Sequence, residues 1–201
     1  AEHGAAGISS VLPPLFNNVP SLCAYFEMLA AAAPGLPLLP YLYGGPTDAV
    51  ALMRQFMTIP TVTGAKYTGP NMYELGHIAA LREDKWAVFS GMDEQCLFAA
   101  MSGACGNIGS TVNLMPGVYR EIHKACQAGD LARGLELQQR ANAVTATLIE
   151  AGLMGALKIA LGTLGFPCGE LRLPRLMPDG GARSSLFARL EACGLPELTE
   201  L

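Results

Sequence analysis

Histidine is rare in this sequence, and the cysteines are not arranged as metal ligands. The 201 residues include three histidines, His3, His77 and His123, and six cysteines that form no C-x-x-C pair. A zinc site needs several such ligands at short spacings. We therefore predict no metal site and expect free thiols in a reducing cytosol. The cysteines are Cys23, Cys96, Cys105, Cys126, Cys168 and Cys193.

Charge is also sparse, and long apolar runs are missing. Only 15% of the residues are charged, and 13 basic against 17 acidic side chains give a net charge of −4 without any block of like charges. This balance argues against nucleic acid or an anionic membrane surface as the main partner. No apolar run approaches the roughly 18 residues of a membrane span, and we find no signal peptide. With 51% apolar residues, the chain is expected to be a globular, cytoplasmic protein of one domain.

Short apolar segments alternate with amphipathic ones along the first half of the chain. After Pro116 the pattern is helical only, and 130–151 carries an apolar stripe with Asp130 as N-cap and Gly152 as stop. We predict strands at 7–12, 36–43, 61–66, 86–91 and 105–110. We predict helices at 21–33, 48–57, 70–82, 94–102, 130–151, 154–164 and 184–193, the last of them after a loop at 172–181.

Five strand-then-helix units in a row predict parallel strands joined by right-handed crossovers. A doubly wound sheet and a (β/α)8 barrel both contain such units. A complete barrel needs eight units and roughly 250 residues, so five units with trailing helices correspond to strands four to eight of one. We therefore predict an α/β fold, a partial (β/α)8 TIM barrel in residues 1–114, with a C-terminal helical region of the same domain in residues 115–201.

Polar side chains are concentrated where the predicted strands end. In a parallel barrel all of these ends open on one face, and that face carries the active site. Each residue taken alone also has a structural explanation, because a strand-end lysine is usually solvated and Asp, Glu, Thr, Ser and Asn suit the starts of the following helices. The candidates are Tyr41 and Tyr43, Lys66 and Thr68, the segment from Gly91 to Glu94, and the segment from Gly109 to Thr111.

Three motifs, taken in order, resemble one enzyme superfamily. They are GAKYT at 64–68, FSGMDEQ at 89–95 and GACGNIGSTVNLMP at 103–116. Their order and spacing are similar to those of the N-acetylneuraminate lyase and dihydrodipicolinate synthase superfamily of Schiff-base aldolases, and the similarity extends over nearly the whole chain. The Asp-Glu pair after Ser-Gly and the Gly-Ser-Thr-x-Asn loop resemble the sialic-acid lyase branch.

This resemblance implies that Lys66 attacks a 2-keto acid and forms an imine, without a metal or a dissociable cofactor. Lysine is a nucleophile only as the neutral amine, which an apolar site without a carboxylate partner favours. A tyrosine then carries the proton of the C4 hydroxyl, helped by the substrate carboxylate. Alignment without gaps selects Tyr41 and puts Thr47 at a Thr or Ser position of the family. The family's Tyr-x-x-Pro pattern selects Tyr43 with Pro46 instead. We prefer Tyr41.

The same resemblance assigns further residues to the sugar. Carboxylates and hydroxyls are suitable partners for a polyol, and a buried polar pocket rejects ligands that lack the hydroxyl groups. The implied substrate-binding residues are Thr68, Gly91, Asp93, Glu94, Gly109 and Ser110.

Two features depart from the family pattern. The family binds the keto-acid carboxylate through a Gly-Ser/Thr-Thr-Gly-Glu-type loop after its second strand, whereas the only Gly-Ser-Thr here is at 109–111. Pro40 falls inside a predicted central strand, where it removes a ladder hydrogen bond. The chain begins at Ala1, already within a strand pattern. We therefore expect a fragment or processed product without strands one to three and without the carboxylate-binding loop.

The sequence thus predicts an aldolase that cleaves N-acetylneuraminate to N-acetylmannosamine and pyruvate. Its expected partners are a small-molecule keto-acid sugar and, in the full-length form, further copies of itself in a homotetramer. A dihydrodipicolinate synthase or a keto-deoxy-sugar aldolase of the same superfamily is the enzymatic alternative. The alternative of another class is a truncated, inactive chain that persists only by association with another chain.

Overall fold

The described residues form one parallel sheet with helices between its strands. The computed structural model describes residues 4–15, 18–44 and 48–201. Each strand of the sheet is parallel to the next, and the strands lie side by side in chain order. The strands are β1 Ile8–Val11, β2 Leu38–Tyr43, β3 Gly64–Thr68, β4 Ala87–Ser90 and β5 Gly106–Asn107.

The strand order distinguishes the two architectures that the sequence left open. A doubly wound sheet contains a switch point at which the strand order reverses. In the part of the chain that the structure describes, no reversal occurs, and every strand follows its predecessor as in an arc of a barrel. The prediction of a partial (β/α)8 barrel is confirmed.

Helices occupy the connections and the C-terminal part. The connections contain α1 Val19–Ala32, α2 Ala49–Phe56, α3 Met72–Ala79 and α4 Cys96–Met101, the last preceded by a 3-10 turn at Asp93–Gln95. They are followed by α5 Pro116–Ala128, α6 Leu131–Glu150, α7 Leu153–Thr163, α8 Gly180–Ala192 and α9 Leu195–Thr199. The predicted last helix at 184–193 is therefore not the last. Gly194, with φ 79°, separates α8 from α9.

Strand β3 lies later in the chain than predicted. The β-branched residues from Thr61 onward predicted a strand at 61–66, but pairing starts there as a single bridge between Leu38 and Val62. The amide of Val62 donates to the Ile59 carbonyl within a turn, 3.0 Å away, so this part of the run closes the loop after α2. Lys66 consequently lies in the middle of β3 and not at its end.

Contacts within the chain separate two compact units. The first consists of Ala1–Met92 and Phe98–Ile108, and it includes the whole described sheet. Its core lies on the face of β3 that bears Ala65 and Tyr67, which are 0% and 1% exposed. The second unit consists of Asp93–Leu97 and Gly109–Leu201.

The core of the second unit is built on the apolar stripe of α6. Of the predicted stripe residues, Leu137, Ala141, Val144 and Leu148 are buried, and Ala151, the C-cap residue, is half-buried. The predicted N-cap is confirmed as well, because Asp130 Oδ1 accepts a hydrogen bond of 3.0 Å from the Arg133 amide.

Within the described ranges, no single helix is long and apolar enough to cross a membrane. The pair Leu131–Glu150 and Leu153–Thr163 satisfies the length and composition test only jointly, across a bend of 115°.

Candidate active site

A row of paired residues crosses all the described strands and has Lys66 at its centre. The register aligns Tyr41 of β2 with Lys66 of β3, and Lys66 with Phe89 of β4. The row continues to Val11 of β1 on one side and to Gly106 of β5 on the other. Paired residues of neighbouring parallel strands face the same side of a sheet. Lys66 therefore extends from the sheet between two aromatic side chains.

Tyr41 is in direct contact with Lys66. The Nζ atom of Lys66 lies 3.9 Å from the centroid of the Tyr41 ring, within the range of a cation–π contact. Tyr43 lies two residues farther along β2, with its ring centroid 5.8 Å from that of Tyr41. Its side chain is 65% exposed. Of the two predicted tyrosines, Tyr41 is the one in contact with the amine. Pro46 and Thr47, which the resemblance also singled out, lie outside the described residues.

Lys66 has no acidic partner in the described ranges. The ion pairs that the structure contains there are formed by other basic side chains. A lysine free of a carboxylate is suited to act as a nucleophile, because no ion pair has to break first.

Thr68 and Gly91 lie beside the Lys66 side chain. A Cβ atom added at Gly91 would collide with Thr68 Oγ1 and would lie 3.0 Å from Lys66 Cε. Only glycine therefore leaves room for these two side chains at the end of β4. The Thr68 hydroxyl oxygen is buried and has no hydrogen-bond partner among the described residues. It is available for a ligand, because a buried hydroxyl without a partner is costly.

The opposite face of β3 is fixed to two helices. The hydroxyl of Tyr67 donates a 2.7 Å hydrogen bond to Glu74 Oε2 of α3. The other oxygen of Glu74 accepts from the Ala49 amide at the start of α2, 3.3 Å away. Burial raises the pKa of Tyr67, and the hydrogen bond to Glu74 raises it further, so this phenol stays protonated. Tyr67 thus connects the strand position next to Lys66 to α2 and α3.

Asp93, in the second unit, forms hydrogen bonds to the segment around Thr111. Its Oδ2 accepts hydrogen bonds from the Thr111 amide and hydroxyl, at 2.8 Å and 2.7 Å, and a longer one from the Val112 amide. Asp93 is 4% exposed. Its Oδ1 has no partner in the described chain, and a Cβ atom at Gly109 would collide with this carboxylate. The structure therefore brings together Asp93 and the backbone of Gly109.

The helix-capping explanations for these residues do not hold. Helix α3 is capped by Asn71, whose side chain accepts from the Glu74 amide, and Thr68 has no such role. The Asp93 carboxylate is bound to Thr111 and does not cap α4. Neither Ser110 nor Asn113 caps α5, since the residue at its N-cap position is Met115, which forms no side-chain cap.

Sequence reasoning missed two side chains of α6 that contact the Asp93–Glu94 turn. Gln138 Nε2 donates to the Asp93 carbonyl, and Asn142 Nδ2 donates to the Glu94 carbonyl, each at 3.1 Å. A signal was present in the sequence, because Gln138 lies next to the stripe residue Leu137 on the inward side of α6. In the structure Gln138 is only 1% exposed. A polar residue at an inward helix position needs a buried partner.

Among the described residues, no group of three or more His, Cys, Asp or Glu side chains is close enough to hold a metal ion.

The chain is similar in sequence to one protein family and to several of its curated members. The model of the dihydrodipicolinate synthetase family matches residues 1–193. The chain is 32% identical over 178 residues to N-acetylneuraminate lyase of Rhizobium meliloti, covering 87% of this chain and 58% of that protein. It is 33% identical over 184 residues to the mouse N-acetylneuraminate lyase, again covering 87% and 58%. It is also 31% identical over 198 residues to 4-hydroxy-tetrahydrodipicolinate synthase 1 of Streptomyces coelicolor, covering 94% and 63%.

Solved structures give the same fold. N-acetylneuraminate lyase of Proteus mirabilis superposes with a TM-score of 0.84 at 25% identity, over 93% of this chain and 65% of that one. The wild-type sialic acid aldolase of Ruminococcus gnavus superposes with a TM-score of 0.88 at 20% identity, over 98% and 67%. The chain thus spans 58% of the length of the two lyases that were compared in sequence.

Proposed function

Because this chain belongs to the dihydrodipicolinate synthetase family, we propose that it carries the Schiff-base centre of a class I aldolase that cleaves N-acetylneuraminate. The observation that supports the proposal best is the position of Lys66, which is in contact with Tyr41 and has no carboxylate partner in the described ranges. An imine-forming lysine reacts as the neutral amine, which a carboxylate partner would disfavour.

The reaction starts at Lys66 Nζ. The neutral amine attacks the C2 carbonyl of the keto acid, water leaves, and a protonated imine forms. The electron pair of the C3–C4 bond then moves into the imine and gives an enamine, while the C4 hydroxyl loses its proton and C4 becomes the aldehyde carbon of N-acetylmannosamine. Protonation of the enamine at C3 and hydrolysis release pyruvate and restore the amine.

We propose Tyr41 as the residue that carries the C4 hydroxyl proton. A phenol acts in this way when it is in hydrogen-bonding reach of both the hydroxyl and an acceptor. The contact between the Tyr41 ring and Lys66 Nζ supports this role, because the hydroxyl being deprotonated is two carbons from the imine carbon. The substrate carboxylate is the expected acceptor for the relayed proton.

For the recognition of the sugar we propose the substrate-binding residues of the sequence prediction. Two unpartnered buried acceptors, Thr68 Oγ1 and Asp93 Oδ1, are the atoms that we propose for substrate hydroxyls. Both oxygens need a hydrogen bond that the described chain does not supply. The further substrate-binding residues stay those of the sequence prediction, which are Gly91, Glu94, Gly109 and Ser110.

Trapping with borohydride tests the proposal. The natural gene product that contains this chain is incubated with pyruvate and sodium borohydride, and the peptides are analysed by mass spectrometry. We expect one pyruvyl adduct on Lys66 and none on Lys85, Lys124 or Lys158. The Lys66→Arg variant, which keeps the charge, should give no adduct. An adduct on another lysine with Lys66 unmodified refutes the mechanism.

The synthase activity is the second candidate, since the Streptomyces coelicolor synthase is 31% identical over 94% of this chain. Both activities pass through a pyruvate imine, which is the last imine of the cleavage and the first of the synthesis, and they differ in the other substrate. A panel that contains N-acetylneuraminate, a shorter keto-deoxy sugar acid and aspartate semialdehyde separates them. Turnover of aspartate semialdehyde alone favours the synthase.

A further inference from the structure

The side chains of Gln138 and Asn142 form a hydrogen-bonded bridge within the second unit, between α6 and the residues Asp93, Glu94 and Leu97. Gln138 Oε1 accepts a 2.8 Å hydrogen bond from the Leu97 amide, and Gln138 Nε2 donates to the Asp93 carbonyl at 3.1 Å. Gln138 Nε2 also donates to Asn142 Oδ1 at 2.9 Å. The Nδ2 group of Asn142 then donates to the Glu94 carbonyl at 3.1 Å.

This bridge fixes the orientation of two consecutive peptide groups. The Asp93 carbonyl is bound by one amide of α6 and the Glu94 carbonyl by another, one helical turn away. These two peptide groups lie on either side of the Glu94 Cα atom, so holding both oxygens restrains φ and ψ of Glu94 and with them the direction of its Cα–Cβ bond. The hydrogen bond to the Leu97 amide also satisfies a donor in the first turn of α4.

The two acidic residues are restrained in different ways. The Asp93 side chain is held independently by Thr111. No hydrogen bond or ion pair of the Glu94 side chain is formed within the described ranges, so its direction depends on the backbone and hence on Asn142. Asn142 is therefore the residue through which α6 acts on Glu94.

We infer that Gln138 and Asn142 are positioning residues for sugar recognition, and that they act by fixing the peptide groups of Asp93 and Glu94. The inference rests on the proposed function, in which Glu94 contacts the polyol part of the substrate. It assigns specificity to α6, a helix whose side chains need not touch the substrate. Its effect concerns the choice of sugar acid and leaves imine formation at Lys66 unchanged.

The Asn142→Asp variant removes one donor selectively. The new carboxylate still accepts from Gln138 Nε2, but it repels the Glu94 carbonyl instead of donating to it. Gln138→Glu is the second variant, because it removes the donor to the Asp93 carbonyl. Gln139 lies next to Gln138 on the exposed side of α6, so Gln139→Glu adds the same charge without touching the bridge and serves as the matched control.

The readout is a ratio of kcat/KM values measured on the natural gene product. The numerator is the cleavage of N-acetylneuraminate, and the denominator is the cleavage of a keto-deoxy sugar acid without the glycerol tail. Loss of one hydrogen bond that orients Glu94 should lower this ratio about tenfold in Asn142→Asp and in Gln138→Glu. The Gln139→Glu variant should keep the ratio of the unaltered protein, and pyruvate trapping at Lys66 should be unchanged in all three.

A double-mutant cycle separates positioning from general stability. If Asn142 acts through Glu94, the Asn142→Asp change should no longer lower the ratio in a Glu94→Ala background. An unchanged ratio in both bridge variants, or an equal further loss in the Glu94→Ala background, overturns the inference while trapping at Lys66 persists. Absence of the Lys66 adduct, or of N-acetylneuraminate cleavage, in the unaltered protein overturns the proposed function and the inference with it.

Discussion

The amine of Lys66 lies over the ring of Tyr41, 3.9 Å from its centroid, because the register of β2 and β3 pairs these two residues. Tyr43 is paired with Thr68 in the same register. One strand thus presents two phenols on one face, but only one of them contacts the lysine. The two phenols can therefore be distinguished experimentally.

We expect Tyr41→Phe to separate imine formation from bond cleavage. The phenylalanine ring keeps the packing against Lys66, so pyruvate trapping should persist, whereas loss of the hydroxyl should lower kcat for cleavage by about 10²–10⁴-fold. Trapping with borohydride and a coupled assay for pyruvate release measure the two steps. Tyr43→Phe is the control and should change kcat less than about threefold. A larger loss in Tyr43→Phe than in Tyr41→Phe would exchange the two roles.

Asp93 and Glu94 are expected to differ sharply in their effect on stability. Asp93→Ala removes a buried carboxylate that accepts from the Thr111 amide and hydroxyl, so the free energy of unfolding should fall by about 3 kcal/mol. Glu94→Ala should change it by less than about 0.5 kcal/mol, while cleavage of N-acetylneuraminate weakens and trapping at Lys66 persists. Denaturant unfolding and the substrate panel provide the two measurements. Equal destabilisation by both changes would contradict the separation.

The buried phenol of Tyr67 should make the fold sensitive to alkali. Burial and the hydrogen bond to Glu74 raise its pKa above the ordinary tyrosine value, so the unfolded chain loses this proton first as pH rises. The stabilisation is complete below about pH 10 and decreases as the pH rises beyond it. Tyr67→Phe should flatten this decrease in urea unfolding measured between neutral and alkaline pH. Tyr73, which is 76% exposed, provides the control variant, and its replacement by Phe should leave the slope as it was.

Cys96 is expected to resist alkylation in the folded protein. It is 0% exposed, and burial together with the negative charge of Asp93 raises its pKa to about 12. Iodoacetamide near pH 8 should label the exposed Cys168 and should reach Cys96 only after unfolding, since the thiolate is the reactive form. Peptide mapping after a time course gives the two rates. Equal rates for both thiols would contradict the burial of Cys96.

The 201-residue chain, expressed alone, is expected to associate. In the described sheet, β1 pairs only with β2 and β5 only with β4, so each has one edge whose backbone groups are unpaired within the described chain. Unpaired strand edges favour pairing between chains. Light scattering should therefore detect oligomers or aggregates, and a coupled assay should detect no pyruvate release. A monodisperse, active monomer would contradict this expectation.

Alternation of side chains along a strand was sufficient to place Tyr41 and Tyr43 on one face of β2. It could not choose between the two tyrosines, because the choice depends on the register of β2 against β3, which neither strand encodes alone. The same limit explains the late start of β3. The β-branched residues before Gly64 favour extended backbone, but the turn from Ile59 to Val62 uses part of that run.

The contacts of Asp93 could not be read from local patterns either. Its carboxylate is bound 18 residues away, at Thr111, and its carbonyl 45 residues away, at Gln138. A capping rule considers only the next turn and therefore assigned the carboxylate to α4. The buried amide of Gln138, at an inward helix position, was the one local sign that a polar partner had to come from elsewhere.

The order of the strands also bears on how the chain folds during synthesis. Each strand from β2 to β5 pairs with the strand made just before it, so no pairing in the described sheet has to wait for a distant segment of sequence. Loops that close over short separations lose little chain entropy and form fast. The sheet can therefore grow one strand at a time, and the strand that carries Tyr41 leaves the ribosome before the strand that carries Lys66.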